Sequence, residues 1–235
     1  VSGERRLRII GRLADGTGGG VGGTRLCDVC RDITRLTGAG VMLMSGDLPL
    51  GSLCTTDAVS AVIEDLQYTL GEGPCVDAHH LGRPVLEPDL ADPAVLRWPA
   101  FSGMAVGSGV RAIFGFPMVV GGVRLGAVNF YADRPGRLTD DQHADALVMA
   151  DVAAEAVLAM QVDGSEEVLA DELERGSNFQ YVVHQAAGMV SVQLDMSVGQ
   201  ALLRLRAYAF ARQRPLAEVA VDVVARILRF ADEDG

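Results

Sequence analysis

The chain has 235 residues, 49% hydrophobic and 22% charged, an ordinary globular composition with apolar mass for one large core or two modest ones. No run reaches the ~18 uncharged apolar residues of a membrane span (the nearest, Ala112 to Val123, is short and holds Pro117), and the opening Val1-Ser2-Gly3-Glu4 carries no export signal, so the expected compartment is the cytoplasm. A net charge of −11 speaks against nucleic acid as a partner for the chain taken as a whole.

Residues 4–13 have the pattern of a short amphipathic helix, and Gly16 to Gly23 places six glycines in eight residues, a linker or loose loop. Thr24 to Thr37 carries apolar residues at three-four spacing and reads as a helix closed by Gly38-Ala39-Gly40. Val41-Met42-Leu43-Met44 is a strand, and after a turn at Gly46-Asp47 a second strand runs through Leu53 and Cys54. Asp57 opens a helix with Ala58, Ala61, Val62, Leu66 and Leu70 along one face, which Gly71-Glu72-Gly73-Pro74 ends. Between Cys75 and Gly109 the prolines at Pro84, Pro88, Pro93 and Pro99 give a loop-rich stretch of the kind that supplies lids and binding loops. Ala112 to Met118 and Leu125 to Tyr131 are strands joined at Gly121-Gly122, a hairpin signal.

Thr139-x-x-Gln142 is a capping box, and the helix after it, Ala144 to Met160, is interrupted only by Asp145, Asp151 and Glu155. A helix apolar on nearly every side must be covered on more than one. The expectation is a parallel homodimer through residues 139–162, with burial wholly inside one domain as the alternative. Residues 163–176 form an acidic connector with Leu169 and Leu173 at helical spacing, which extends the expected stalk.

The four cysteines, Cys27, Cys30, Cys54 and Cys75, fit no complete zinc pattern, because only Cys27-x-x-Cys30 has ligand spacing. A reducing compartment disfavours disulfides, so the expectation is buried small hydrophobes. His79-His80 suggests a metal or haem, but a lone pair in a loop is more often solvated. Gly-x-Ser-x-Gly, P-loop and His-Glu-x-x-His motifs are all absent from the sequence, and the glycines at 18–20 lack the Lys-Ser/Thr of a phosphate cradle. The expectation is therefore no catalytic residues, no metal and no enzyme activity.

The tail reads as three short amphipathic helices. Ser177-x-x-Gln180 caps the first, with Phe179, Val182, Val183, Ala186, Val190 and Leu194 on its stripe; Ser197-x-x-Gln200 caps the second; Pro215 fits the first turn of the third. Residues 177–231 hold Arg204, Arg206, Arg212, Arg214, Arg226 and Arg229 against Asp195, Glu218 and Asp222, a local charge of +3 on an acidic chain. Such asymmetry points to nucleic acid.

The motifs His184-Gln185-Ala186-Ala187-Gly188-Met189-Val190, Ser197-x-x-Gln200-Ala201, Leu205-Arg206-x-x-Ala209 and Leu216-x-x-Val219-Ala220 resemble the ANTAR domain, an RNA-binding module of bacterial transcription antiterminators. The resemblance implies a dimer that grips paired hairpin loops of a nascent leader transcript, through Gln185, Ala187, Gly188, Arg204, Arg206, Arg212 and Arg214. The family's usual Lys is Ala187 here, which removes one expected phosphate contact; Gly188 has close helix packing as its alternative role.

Residues 24–162 resemble a GAF domain through Leu70-Gly71-Glu72-Gly73-Pro74-Cys75, Gly82-Arg83-Pro84-Val85, Trp98-Pro99-x-Phe101 and Gly126-Ala127-x-Asn129-Phe130-Tyr131. That resemblance implies an antiparallel sheet flanked by helices, and a small-molecule sensor whose pocket involves Cys75, Trp98 and Phe101, with no cofactor expected beyond an unidentified small-molecule ligand. All twenty basic residues are Arg, a GC-rich coding bias that suits an actinobacterium, where such sensors precede ANTAR tails.

The reading is thus an α+β fold in four segments: an N-terminal helix and Gly-rich linker (1–23), a GAF-like domain (24–162), a helical connector (163–176) and an all-α ANTAR-like bundle (177–231). The expected function is transcription antitermination controlled by a sensor and by dimerisation, with RNA and a second copy as partners and no membrane. The alternative is a sensor or protein-interaction module whose tail no longer binds RNA.

Overall fold

The computed structural model describes residues 2–15, 23–46, 48–94, 97–162, 181–212 and 214–230. The Gly-rich linker up to Gly22, the acidic connector and the Ser177–Gln180 capping box lie outside the described residues. The chain forms two compact units, Val1–Leu173 and Glu174–Gly235.

In the first unit the helices are α1 (Ser2–Ala14), α2 (Gly23–Thr34), α3 (Ala58–Leu70), α4 (Pro74–Leu81), α5 (Pro99–Gly107) and α6 (Asp140–Val162), and the strands are β1 (Gly38–Ser45), β2 (Leu48–Thr55), β3 (Val85–Glu87), β4 (Ala112–Val120) and β5 (Val123–Ala132). The five strands make one sheet in the order β2-β1-β5-β4-β3, antiparallel at every pairing. Pro117, awkward in a central strand, is tolerated because β3 pairs only with Ile113 to Gly115 and leaves that end of β4 without a neighbouring strand on its far side among the described residues.

Alternation along the strands gives the sheet two unlike faces. Ala39, Val41, Leu43, Phe114, Phe116, Val128 and Phe130 pack with α1, α2 and α6 into one apolar core. The opposite face meets α3 and α4 and is polar at its centre. The Thr139–Gln142 capping box closes in both directions, and the Gln142 side chain also donates to the Thr34 carbonyl at the end of α2. Sheet, α1 and α2 together cover the apolar sides of α6, with Asp145 nearly buried between Arg5 and Arg8 (2.6 Å to each). The near-continuous apolar pattern of α6 is therefore largely met within one chain, although Leu147 stays 41% exposed.

Three sequence expectations are corrected here. Cys75 to Gly109 is not mainly loop: it holds most of α4, then β3 and α5, because Pro74 and Pro99 sit at first-turn positions, where proline opens a helix instead of breaking it. Cys27 is not a free hydrophobe; it is joined to Cys54 across a Cα–Cα distance of 5.9 Å, since α2 lies against β2, while Cys30 and Cys75 are free and buried. Pro215 is the N-cap of the last helix and not its first residue.

In the second unit, residues 181–194 are helical (α7), followed by α8 (Val198–Ala211) and α9 (Leu216–Val224). The Ser197–Gln200 capping box forms completely. Val183, Ala186, Val190, Ala201, Leu202, Leu205, Ala209, Leu216, Val219, Ala220 and Val223 are buried.

Candidate functional site

The most unusual chemistry in the first unit lies between the sheet and α3. Only part of the apolar stripe expected on that helix turns inward: Leu66 is buried, but Ala58, Ala61 and Val62 are exposed, while Ser60, Glu64 and Gln67 are buried beside Ile63 and Tyr68. Asp57 still caps the helix, accepting from the Ser60 amide. The reason for the reversal is the surface it meets. β1 offers glycines there, and a Cβ on Gly40 would stand 2.6 Å from Glu64 Oε1, so only glycine leaves room for the carboxyl.

Glu64 Oε1 accepts from Asn129 Nδ2 at 2.8 Å and from the Tyr131 hydroxyl, both on β5. Glu64 Oε2, Asn129 Oδ1 and Gln67 Nε2 are buried with no hydrogen-bond partner among the described residues. Burial pushes the Glu64 carboxyl up to about 8, against the opposing pull of the Asn129 hydrogen bond, so at neutral pH it is mostly the neutral acid. The site therefore presents uncharged donors and acceptors inside an apolar shell.

Cys75 borders this cluster. Its amide donates to Gln67 Oε1 at 2.8 Å, which supplies the cap that Gly73 has no side chain to provide. Its thiol is fully buried and held well above the ordinary range, first by burial and then by the proximity of Glu64. Such a thiol is a poor nucleophile. Close packing of α4 on the sheet depends on Gly115, where a Cβ would come within 2.5 Å of the Pro74 carbonyl oxygen.

Trp98 and Phe101 are buried and meet edge-to-face with centroids 6.3 Å apart. Trp98 Nε1 donates to Asp77 at 3.2 Å, and the Arg97 guanidinium lies 4.8 Å over the indole and donates to the same carboxylate. Glu72 accepts from the Ala100 and Phe101 amides, so the Gly-Glu-Gly-Pro segment caps α5 and fastens it beside α3. The two motifs singled out in sequence are thus joined through the Glu72 carboxylate. The sequence reading missed Glu64, Gln67, Asn129 and Tyr131 as site residues; the available signal was a glutamate and a glutamine at three-residue spacing, inside a helix opposite a strand reading Asn-Phe-Tyr.

His79 and His80 are not loop residues. They end α4, and His79 is buried with Nε2 2.7 Å from the Gly46 carbonyl oxygen. Among the described residues no cluster of three or more His, Cys, Asp or Glu could hold a metal. A cleft of about 790 Å³ opens between α1, α2 and α6, but its Arg5 and Arg8 are committed to Asp141 and Asp145. No helix among the described residues is long and apolar enough to cross a membrane.

In the second unit, Gln185 is exposed and Gly188 half-buried on α7, on one line with Tyr181 and Val192, which are 67% and 83% exposed. A Cβ on Gly188 would meet nothing within 4 Å, so close packing is not what requires glycine there. Ala187 is fully buried and offers no surface to a partner, which removes it from the expected contacts. Arg204 and Arg212 are exposed, and Arg212 lies over the Tyr208 ring at 5.2 Å. Arg206 and Arg214 are half-buried, and Arg214 is engaged by Asp222 at 2.8 Å and Glu218 at 3.8 Å.

Set beside known proteins, residues 23–158 match the family model of the GAF domain. Among solved structures, the GAF domain of a phosphoenolpyruvate-protein phosphotransferase from Coxiella burnetii superposes with a TM-score of 0.53 at 12% identity, over 70% of this chain and 96% of that one. The GAF domain of the corresponding Acinetobacter protein gives 0.52 at 9% identity, over 70% and 97%. At these identities the likeness concerns the fold alone. A search of the curated proteins finds no match.

Proposed function

The chain belongs to the GAF family, and from that premise we propose that it is a non-catalytic signalling regulator: the GAF domain senses a small molecule, and the tail binds hairpin loops of nascent leader RNA as a transcription antiterminator. The observation that supports the RNA half is charge segregation. Residues 177–231 carry six arginines against three acids on a chain of net charge −11, and they resemble the ANTAR module. Guanidinium groups suit phosphates and also stack on splayed loop bases.

The sensing half rests on the orphaned polar atoms of Glu64, Gln67 and Asn129. A buried donor or acceptor without a partner costs roughly 1–3 kcal/mol, which a bound ligand can recover by supplying the missing bonds. The ligand class that fits is small, uncharged and rich in hydrogen-bonding groups. Dimerisation through α6 and the connector would link two tails, and two weak sites gain affinity through effective concentration.

Mobility-shift titration of the full chain with an RNA of two adjacent stem-loops tests the proposal. Binding that weakens steeply with salt is the expected result. A flat titration would leave the second reading, a sensor whose tail contacts protein; the burial of Ala187 where the ANTAR pattern has Lys favours that reading.

A further inference from the structure

The outward side of α8 combines features that the fold does not need. Its buried side is Ala201, Leu202, Leu205 and Ala209. On the opposite side Leu203 is 66% and Phe210 69% exposed, two turns apart on one line, with exposed Ala207 between them. Helical periodicity sets Arg206 at one edge of this line and Arg204 at the other. No residue of α8 is acidic, on a chain with 31 acids.

A phenylalanine left in water contributes nothing to folding there, and one flanked by guanidinium groups on a helix without acids matches the demands of an unpaired nucleotide. The ring offers a stacking face, and the cations on either side suit phosphates. We propose that this face of α8 is the base-stacking surface of the tail: Phe210 stacks on an unpaired loop base, Leu203 packs against the adjoining nucleotide, and Arg204 and Arg206 hold the flanking phosphates. The inference rests on the RNA reading above and adds to it a site and a binding mode.

The test uses the full chain, the two-stem-loop RNA carrying a fluorescent base analogue in one loop, and the same stems closed into continuous duplex. Phe210→Ala should weaken stem-loop binding roughly ten-fold, at unchanged salt slope, and abolish quenching of the loop base. Phe210→Trp should retain both affinity and quenching. Arg204→Gln and Arg206→Gln should each lower the salt slope by about one unit while quenching persists in the bound fraction. If the wild-type protein binds the stem-loops and Phe210→Ala binds equally well with the same quenching, the stacking surface is elsewhere and the RNA reading survives. If the wild type binds neither RNA, both fall together. A Phe210→Ala change confined to self-association would make this face a contact between copies and overturn the inference.

Discussion

Between the sheet and α3 the protein encloses a carboxyl, two amides and a phenol, whereas on α8 it leaves a phenylalanine and a leucine in water. Each region reverses the usual sorting of polar from apolar side chains, and each reversal has a different energetic form. The interior one is expensive: orphaned polar atoms and a carboxyl driven to about 8 persist only because the surrounding packing is strong. The exterior one is cheap, since a single exposed ring costs the fold almost nothing. A costly feature is kept by its scaffold and so should be sensitive to scaffold changes; a cheap one should be removable without trace in stability.

The largest effect expected from this contrast is at Trp98. Trp98→Ala removes a buried indole, its edge contact with Phe101 and a hydrogen bond to Asp77, and should destabilise the first unit by ~3–5 kcal/mol in urea unfolding. A loss below about 1 kcal/mol would mean that the packing around Trp98 does not support the polar interior, and the two regions would then differ less than proposed.

A smaller, pH-dependent effect is expected at Glu64. Its folded value lies above that of an unfolded glutamate, so the folded state holds its proton more tightly. The contribution to stability is complete below about 4.3 and is lost as pH rises through about 8. Glu64→Gln keeps the hydrogen-bonding shape and cannot ionise. Wild-type stability relative to the variant should therefore fall by a few kcal/mol between pH 5 and pH 9, read from thermal unfolding across that range. A difference independent of pH would show that Glu64 is solvated or already ionised, and the neutral-ligand assignment would go with it.

Much of the scaffold is legible in the sequence because its signals are local. Thr139-x-x-Gln142, Ser197-x-x-Gln200, Asp57 and the Gly121-Gly122 turn each act through neighbouring backbone, and each forms as read. The site is much less legible because its causes are distant. Glu64 is turned inward by Gly40, twenty-four positions earlier, and by Asn129 and Tyr131 on β5, more than sixty positions later. Pattern reading follows Ala58, Ala61 and Val62 on α3, which face solvent, and passes over the polar residues that turn inward beside Leu66. Cys27–Cys54 fails for a related reason: their approach follows from α2 lying on β2, whereas the sequence supports only an inference about compartment. The prolines at Pro74 and Pro99 mislead in the opposite direction, since a residue that reads as a helix breaker opens a helix when it stands at the first position.

The smallest expected effect divides the two regions most cleanly. Phe210 is 69% exposed and lies outside the buried set of the tail, so Phe210→Ala should shift the thermal stability of the chain by no more than about 0.5 kcal/mol in either direction. Alanine is also the better helix former, which offsets the little packing the ring provides. The same substitution carries the loss of stacking in the RNA titration, so one variant reads fold and function separately. A drop of 2 kcal/mol or more would place the ring in the tail's own packing, and α8 would then have no surplus apolar group to offer a base. A silent melt with weakened RNA binding instead assigns Phe210 to recognition, with the exposed side of α8 maintained by something other than folding.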